Sequence, residues 1–206
     1  PAALPLLSPS EVHRHTLWGR EVVSMPPGLT PYDRRAAVSY AHRWAYGRNP
    51  AFYDYEKIGG DCTNFASQCV YAGSGVMNYT PTYGWYYIDA NQKAPAWTGV
   101  PYFYNFMTRT EPSPGPVAEE APLQRILPGD VIQLSFDGQS FQHTPVVVAL
   151  LGPPVRPANI LVAAHSYDAD NRPLSAYDYK ALRPLHFLGV YLSLIHISEP
   201  TRLDVI

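Results

Sequence analysis

The stretch Gly59-Gly60-Asp61-Cys62-Thr63-Asn64-Phe65 places a cysteine in the first turn of an expected helix, directly after a glycine turn. Unsatisfied amides and the helix dipole at such a position stabilise an anion and favour a thiolate. The glycines permit close approach of a substrate carbonyl, and the Cys62 amide is placed to donate to an oxyanion. The alternative for Cys62 is a small buried residue on an apolar face, which is the reading for Cys69. A thiolate nucleophile needs an imidazole within hydrogen-bond reach, and that imidazole needs an orienting partner. Gln142-His143-Thr144-Pro145-Val146 sets His143 at the start of an apolar strand, and Leu161-Val162-Ala163-Ala164-His165 sets His165 at the end of another. If those strands are antiparallel neighbours, the two histidines lie side by side. Each histidine taken alone also fits a satisfied structural role.

Metal binding competes for the same residue types. Neither Cys-x-x-Cys nor His-Glu-x-x-His is present. His13-Arg14-His15 reads as a solvated pair. Asp168-Ala169-Asp170-Asn171 opens like a calcium loop, but Tyr179 stands at the twelfth position, where a bidentate Glu is required. A phosphate loop, a dinucleotide fingerprint and a Gly-x-Ser-x-Gly elbow are likewise missing. No metal and no cofactor is expected.

The elements that must carry these residues are helices first and strands afterwards. Thr30-Pro31-Tyr32-Asp33 reads as a helix start with Thr30 as cap and Pro31 at the first helical position. Ala37, Tyr40, Ala41 and Trp44 follow at helical spacing, with Gly47 as a stop. Cys62, Phe65, Ala66, Cys69 and Val70 form the apolar face of a second helix, ended by Tyr71-Ala72-Gly73. Val100, Phe103, Tyr104 and Met107 suggest a third. Residues 83–104 are rich in aromatics, which suit a core or the lining of a groove. Residues 111–122, with Pro112, Pro114 and Pro116, read as a loop. Strands are expected at 130–136, 141–151, 159–166 and 185–192. The order indicates α+β with an antiparallel sheet.

Composition sets outer bounds. The 206 residues suffice for one domain with a core, and no apolar run reaches the roughly 18 residues of a membrane span. Charged residues make up 16% and net charge is −2, which excludes an electrostatic nucleic-acid binder. Sixteen tyrosines and 22 prolines in a charge-poor chain suit a loop-rich domain outside the cytoplasm. Two cysteines cannot staple a miniature fold. On one helix Cys62 and Cys69 would be about 10.5 Å apart, too far to pair.

The ends read differently. The chain opens on Pro1, and residues 1–29 look like a linker following something upstream, so a signal peptide is neither shown nor excluded. Leu192 to Arg202 resembles the translation of a sequencing-library adapter, so 193–206 are expected to be a non-native tail. Residues 30–192 are the expected domain.

Several motifs occur together: Tyr32-Asp33-Arg34-Arg35-Ala36-Ala37, Gly60-Asp61-Cys62-Thr63-Asn64-Phe65-Ala66-Ser67-Gln68, Gly84-Trp85-Tyr86-Tyr87, Trp97-Thr98-Gly99-Val100, Gly129-Asp130-Val131-Ile132-Gln133 and His143-Thr144-Pro145-Val146. This pattern, over about residues 31–191, resembles the putative amidase domain family of Gram-positive bacteria. That family looks like a relative of the CHAP and NlpC-type cell-wall peptidases, which implies a papain-like fold. The resemblance implies Cys62 as nucleophile, His143 as base and His165 as the third polar residue. The two histidines are 22 residues apart, longer than the family pattern, which leaves Asp168 as a substitute for the third role.

The expected function is a cysteine amidohydrolase or peptidase. Its substrate would be a peptide or amide, with peptidoglycan as the wall polymer the resemblance implies, and its location secreted or cell-surface. A non-catalytic wall- or peptide-binding module on the same fold is the alternative, and acyl transfer to an amine is a variant of the same chemistry. Oligomeric state is not legible.

Overall fold

The computed structural model describes residues 28–192, together with the backbone of an antiparallel strand pair upstream, β1 (Arg14–Leu17) and β2 (Arg20–Val23). That pair falls in the stretch read from sequence as linker. The expected tail, 193–206, lies outside the described residues.

The fold is α+β. Leu29–Thr30 forms the short strand β3, followed by helices α1 (Arg34–Trp44), α2 (Cys62–Ser74), α3 (Pro95–Thr98) and α4 (Val100–Met107). Six further strands complete the domain: β4 (Gly115–Glu120), β5 (Val131–Ser135), β6 (Val146–Leu150), β7 (Ile160–Ala164), β8 (Ala169–Pro173) and β9 (Ala181–Tyr191). They make a seven-stranded sheet in the order β3-β9-β5-β6-β7-β8, with β4 also paired to β9. Every pairing is antiparallel.

The start of α1 differs from expectation. Asp33, not Thr30, is the cap, and its carboxylate accepts the Ala36 N–H at 2.9 Å. Thr30 belongs to β3 and spends its hydroxyl on the Val190 carbonyl. An Asp outranks a Thr as a cap, and here the Thr side chain is already committed.

α2 is the central element. Residues 62 to 70 are all buried, on every face. One face packs Phe65, Ala66, Cys69 and Val70 into the core shared with α1 and the sheet. The polar face is covered by the aromatic segment. Ser67 accepts the Trp85 indole N–H and donates to the Trp97 carbonyl, Asn64 accepts the Trp97 indole N–H, and Gln68 accepts the Tyr40 hydroxyl. The aromatics Trp85, Trp97 and Phe103 are therefore core, each fully buried. Paired in this way, the buried polar groups cost little. The helix runs past Gly73 and closes at Gly75, whose φ of +64° suits a left-handed cap. Gly73 is instead a packing glycine, because a Cβ there would lie 2.5 Å from the Tyr32 ring.

The sheet's second face has its own apolar cluster. Ile132, Leu134, Val147, Ile160 and Val162 point away from α2, while Val131, Val146, Val148 and Ala163 point toward it. This is the period of two that strands impose. β4 and β8 were not expected. Pro116 is tolerated because β4 pairs only with β9, and β8 is a polar edge strand that pairs only with β7. Among the described residues, no helix is long and apolar enough to cross a membrane.

Candidate active site

Two glycines with φ near +100° turn the chain into α2. A Cβ on Gly60 would meet the Ser166 hydroxyl at 3.1 Å, so the turn lies hard against the end of β7. Asp61 caps α2 without a side-chain bond to a backbone N–H of the helix. Its buried carboxylate turns the other way. It accepts the Tyr55 N–H at 2.9 Å and the Asn64 amide at 2.8 Å, and it meets His165 Nδ1 at 2.5 Å. The next residue, Cys62, is the first of α2.

Cys62 Sγ lies 3.8 Å from the Gln142 carbonyl and 3.8 Å from the Thr63 hydroxyl. One residue on from each, the Thr63 and Thr144 hydroxyls bond at 2.9 Å. His143 is thereby clamped between two residues that both touch the first turn of α2. Its backbone exchanges hydrogen bonds with Leu134 just before β6 begins. Cys62 and His143 open on one cavity of about 390 Å³, together with Gly60, Gln142, Tyr177 and Arg172. A larger cavity of about 530 Å³ lies by Asn78, Tyr83, Tyr102 and Arg109 and holds no cysteine or histidine.

The third member is arranged differently from expectation. His165 has both ring nitrogens committed, Nδ1 to Asp61 and Nε2 to the Trp44 carbonyl at 2.9 Å. Its ring stacks on Phe65 at 4.1 Å. Asp168 is held by Arg48 through paired 3.0 Å bonds. Among the described residues neither side chain bonds His143. β6 and β7 are indeed antiparallel neighbours, yet His143 precedes β6 and His165 follows β7, next to the acid that caps α2. Among the described residues the His143 ring makes no hydrogen bond, and Cys62 Sγ bonds to Gln142 and Thr63 rather than to His143.

Electrostatics also departs from expectation. Burial pushes the Cys62 thiol up, and the hydrogen bonds from Thr63 and Thr144 offset only part of that. Burial and the nearby Arg172 charge bring His143 down from 6.5 to about 4. Desolvation outweighs the helix dipole here, because both groups are almost wholly removed from water. The resting pair at neutral pH is thiol beside imidazole. Cys69 is fully buried, its thiol raised by burial, and neither cysteine is in a disulfide.

Sequence reasoning missed Arg172 and Tyr177 on the cavity wall. Arg172 lies on β8, within the segment set aside as a failed calcium loop, and Tyr177 is one of sixteen tyrosines. Neither carries a motif. Among the described residues, no three His, Cys, Asp or Glu side chains converge to hold a metal ion.

The profile of the family described as putative amidase domain matches residues 31–188. An uncharacterized protein of Bacillus subtilis (strain 168), YhbB, is 31% identical over 173 residues, covering 82% of this chain and 51% of that protein. The chain thus spans about half the length of that relative. No solved structure matches.

Proposed function

Since the chain belongs to the putative amidase domain family, we propose that it is a cysteine-dependent amidohydrolase whose nucleophile is Cys62 and whose base is His143. The observation that carries this is the shared cavity, onto which a thiol at the head of a buried helix and an imidazole with no hydrogen bond among the described residues both open. The Cys62 Sγ–H proton passes to His143 as sulfur attacks the amide carbon. Charge on the carbonyl oxygen is met by the Cys62 N–H in the first turn of α2. As the C–N bond breaks, His143 returns the proton to the leaving nitrogen. Water, deprotonated by His143, then attacks the thioester and frees the thiol.

Asp61 and His165 act on this reading by fixing the turn that presents Cys62. The substrate is a peptide or amide, with peptidoglycan as the polymer that the relation to CHAP and NlpC-type peptidases suggests. That relation would make the fold papain-like and the protein secreted or cell-surface. The test is digestion of purified peptidoglycan and model peptides by wild type beside Cys62→Ala, with products identified by mass. Cys62-dependent release of a new amine supports the reading, and identical digests overturn it.

One observation favours a second reading. A thiol raised by burial beside an imidazole held neutral is a poor nucleophile at rest, as in a binding module that retains the fold. Alkylation at neutral pH separates the two, since the enzyme reading requires Cys62 to react far faster than Cys69.

A further inference from the structure

Arg172 is the cation of the Cys62 cavity, and its surroundings differ from those of five other arginines. Arg34 is paired with Asp130, Arg48 with Asp168, and Arg125 with Glu119. Arg109 spends its guanidinium on the carbonyls of Phe106, Ser113 and Pro116, and Arg183 uses Gln133. Arg172 donates a single bond, to the Ala176 carbonyl at 2.8 Å, and among the described residues has no acidic partner. Asp178 also lines the cavity but does not pair with it. The guanidinium lies over the Tyr177 ring at 4.1 Å, and that ring stands 5.5 Å from the His143 ring.

A second observation concerns the same wall. The Tyr177 hydroxyl is buried near the Arg172 side chain and makes no hydrogen bond among the described residues. A buried donor left empty is destabilising, so a site that keeps one has a use for it when occupied. Guanidinium and phenol together offer donors, of which one is taken by the Ala176 carbonyl.

We propose that Arg172 and the Tyr177 hydroxyl form a subsite for a carboxylate, so that the preferred substrate carries a free carboxylate next to the amide that Cys62 attacks. The inference rests on the Cys62–His143 reading and adds the substrate class to it. A planar carboxylate matches the fork of a guanidinium. Asp178 on the same wall selects a singly charged group over a phosphate dianion. Docking also has a chemical consequence. Arg172 helps keep His143 neutral, so a carboxylate that screens it eases transfer of the Cys62 proton to the imidazole as substrate arrives.

The test uses two thiol reagents of nearly the same shape, iodoacetate and iodoacetamide. In each case Cys62 sulfur forms a bond to the CH₂ carbon, iodide leaves and the thiol proton is released. The ratio of the two rates at Cys62, mapped by mass, reads the subsite without any natural substrate. Wild type should favour iodoacetate. Arg172→Gln should lower the ratio by roughly tenfold, Arg172→Lys should restore part of it, and Tyr177→Phe should give a smaller drop. Asp178→Asn should raise it. An unchanged ratio in Arg172→Gln overturns the proposal.

Should Cys62 resist both reagents, Cys62→Ala is titrated by NMR with the α-amides of N-acetylglutamate and N-acetylglutamine. A preference for the acid that vanishes with Arg172→Gln supports the subsite, and equal binding overturns it. The two readings fail separately. Cys62-dependent hydrolysis without preference for acids removes only the subsite, whereas acid-selective binding without hydrolysis removes only the enzyme.

Discussion

His143 and His165 are both buried, at 5% and 1% exposure, and both sit beside strand ends near the head of α2. Their bonding is opposite. His165 has a partner on each nitrogen and an aromatic ring beneath it. His143 has neither nitrogen engaged among the described residues, and it faces a cavity that contains a thiol. A satisfied buried imidazole rigidifies what it touches, here the turn before Cys62. An uncommitted one is free to bond a ligand in the cavity. On the proposed function, the contrast divides the head of α2 into a scaffold side and a reacting side.

The largest effect should come from the reacting side. Cys62→Ala and His143→Ala should each lower turnover by roughly 10³-fold or more, and the double variant should be no worse than either. Thermal stability should change little in Cys62→Ala. Steady-state rates on any amide that wild type cleaves provide the check. If His143→Ala keeps most of the activity, the base lies elsewhere and the division falls.

Next comes the scaffold side. Removing His165 takes from the buried Asp61 carboxylate its shortest contact and leaves a gap beside Phe65, which together cost about 3–5 kcal/mol. For a domain of this size, His165→Ala should lower Tm by on the order of 10 °C. Denaturant unfolding would confirm the loss. At low temperature the folded variant should keep residual activity, lowered because the turn that presents Cys62 is less firmly held. An intact Tm with lost turnover would move His165 to the reacting side.

How much of this division could be read from the sequence depends on the residue. Cys62 was legible because glycine, acid and cysteine at a helix start have a local physical meaning. His143 was legible as a strand-start histidine. The bonding of His165 was not, because its partners, Asp61 and Trp44, are 104 and 121 residues away and nothing local names them. The α+β order and the antiparallel sheet followed from periodicity. β4 and β8 escaped because each pairs with a single strand and needs no alternating apolar pattern, so Pro116 and Asp170 can occupy them. The raised thiol was hidden for a similar reason. The dipole at a helix start is a local property, whereas the burial that outweighs it depends on the whole fold.

The pH response sharpens the contrast through His143. Unfolded, its imidazole titrates near 6.5; buried, it titrates at about 4. Above pH 6.5 the imidazole is neutral in both states and has no effect on stability. As pH falls toward 4 the unfolded chain takes the proton first, and the fold loses about 3 kcal/mol. Denaturation of wild type against His143→Gln at pH 7.5 and pH 4 should show this difference appear only at the acid end. The acid limb of kcat/KM should likewise fall well below 6.5. A limb at 6.5 or above would mean that the imidazole is solvated and that the two histidines differ less than their bonding indicates.

The smallest effect should come from Asp168, which the sequence offered as a substitute for the third role. It accepts two 3.0 Å bonds from Arg48, and both side chains are partly open to water, at 33% and 27% exposure. Arg48 keeps Asp54 at 3.4 Å and Glu56 at 3.7 Å when Asp168 is removed, so its charge is not stranded. Exposed pairs of this kind contribute about 0–1 kcal/mol. Asp168→Ala should therefore shift Tm by no more than a few degrees and leave kcat unchanged. The measurement separates the two assignments cleanly, because an orienting acid acts through the imidazole and its loss shows in kcat and in the pH profile. A tenfold fall in kcat at unchanged Tm would place Asp168 with His143, on the reacting side. Small losses of stability alone leave it where its bonds put it, on the outer edge of the scaffold that holds Asp61 and His165.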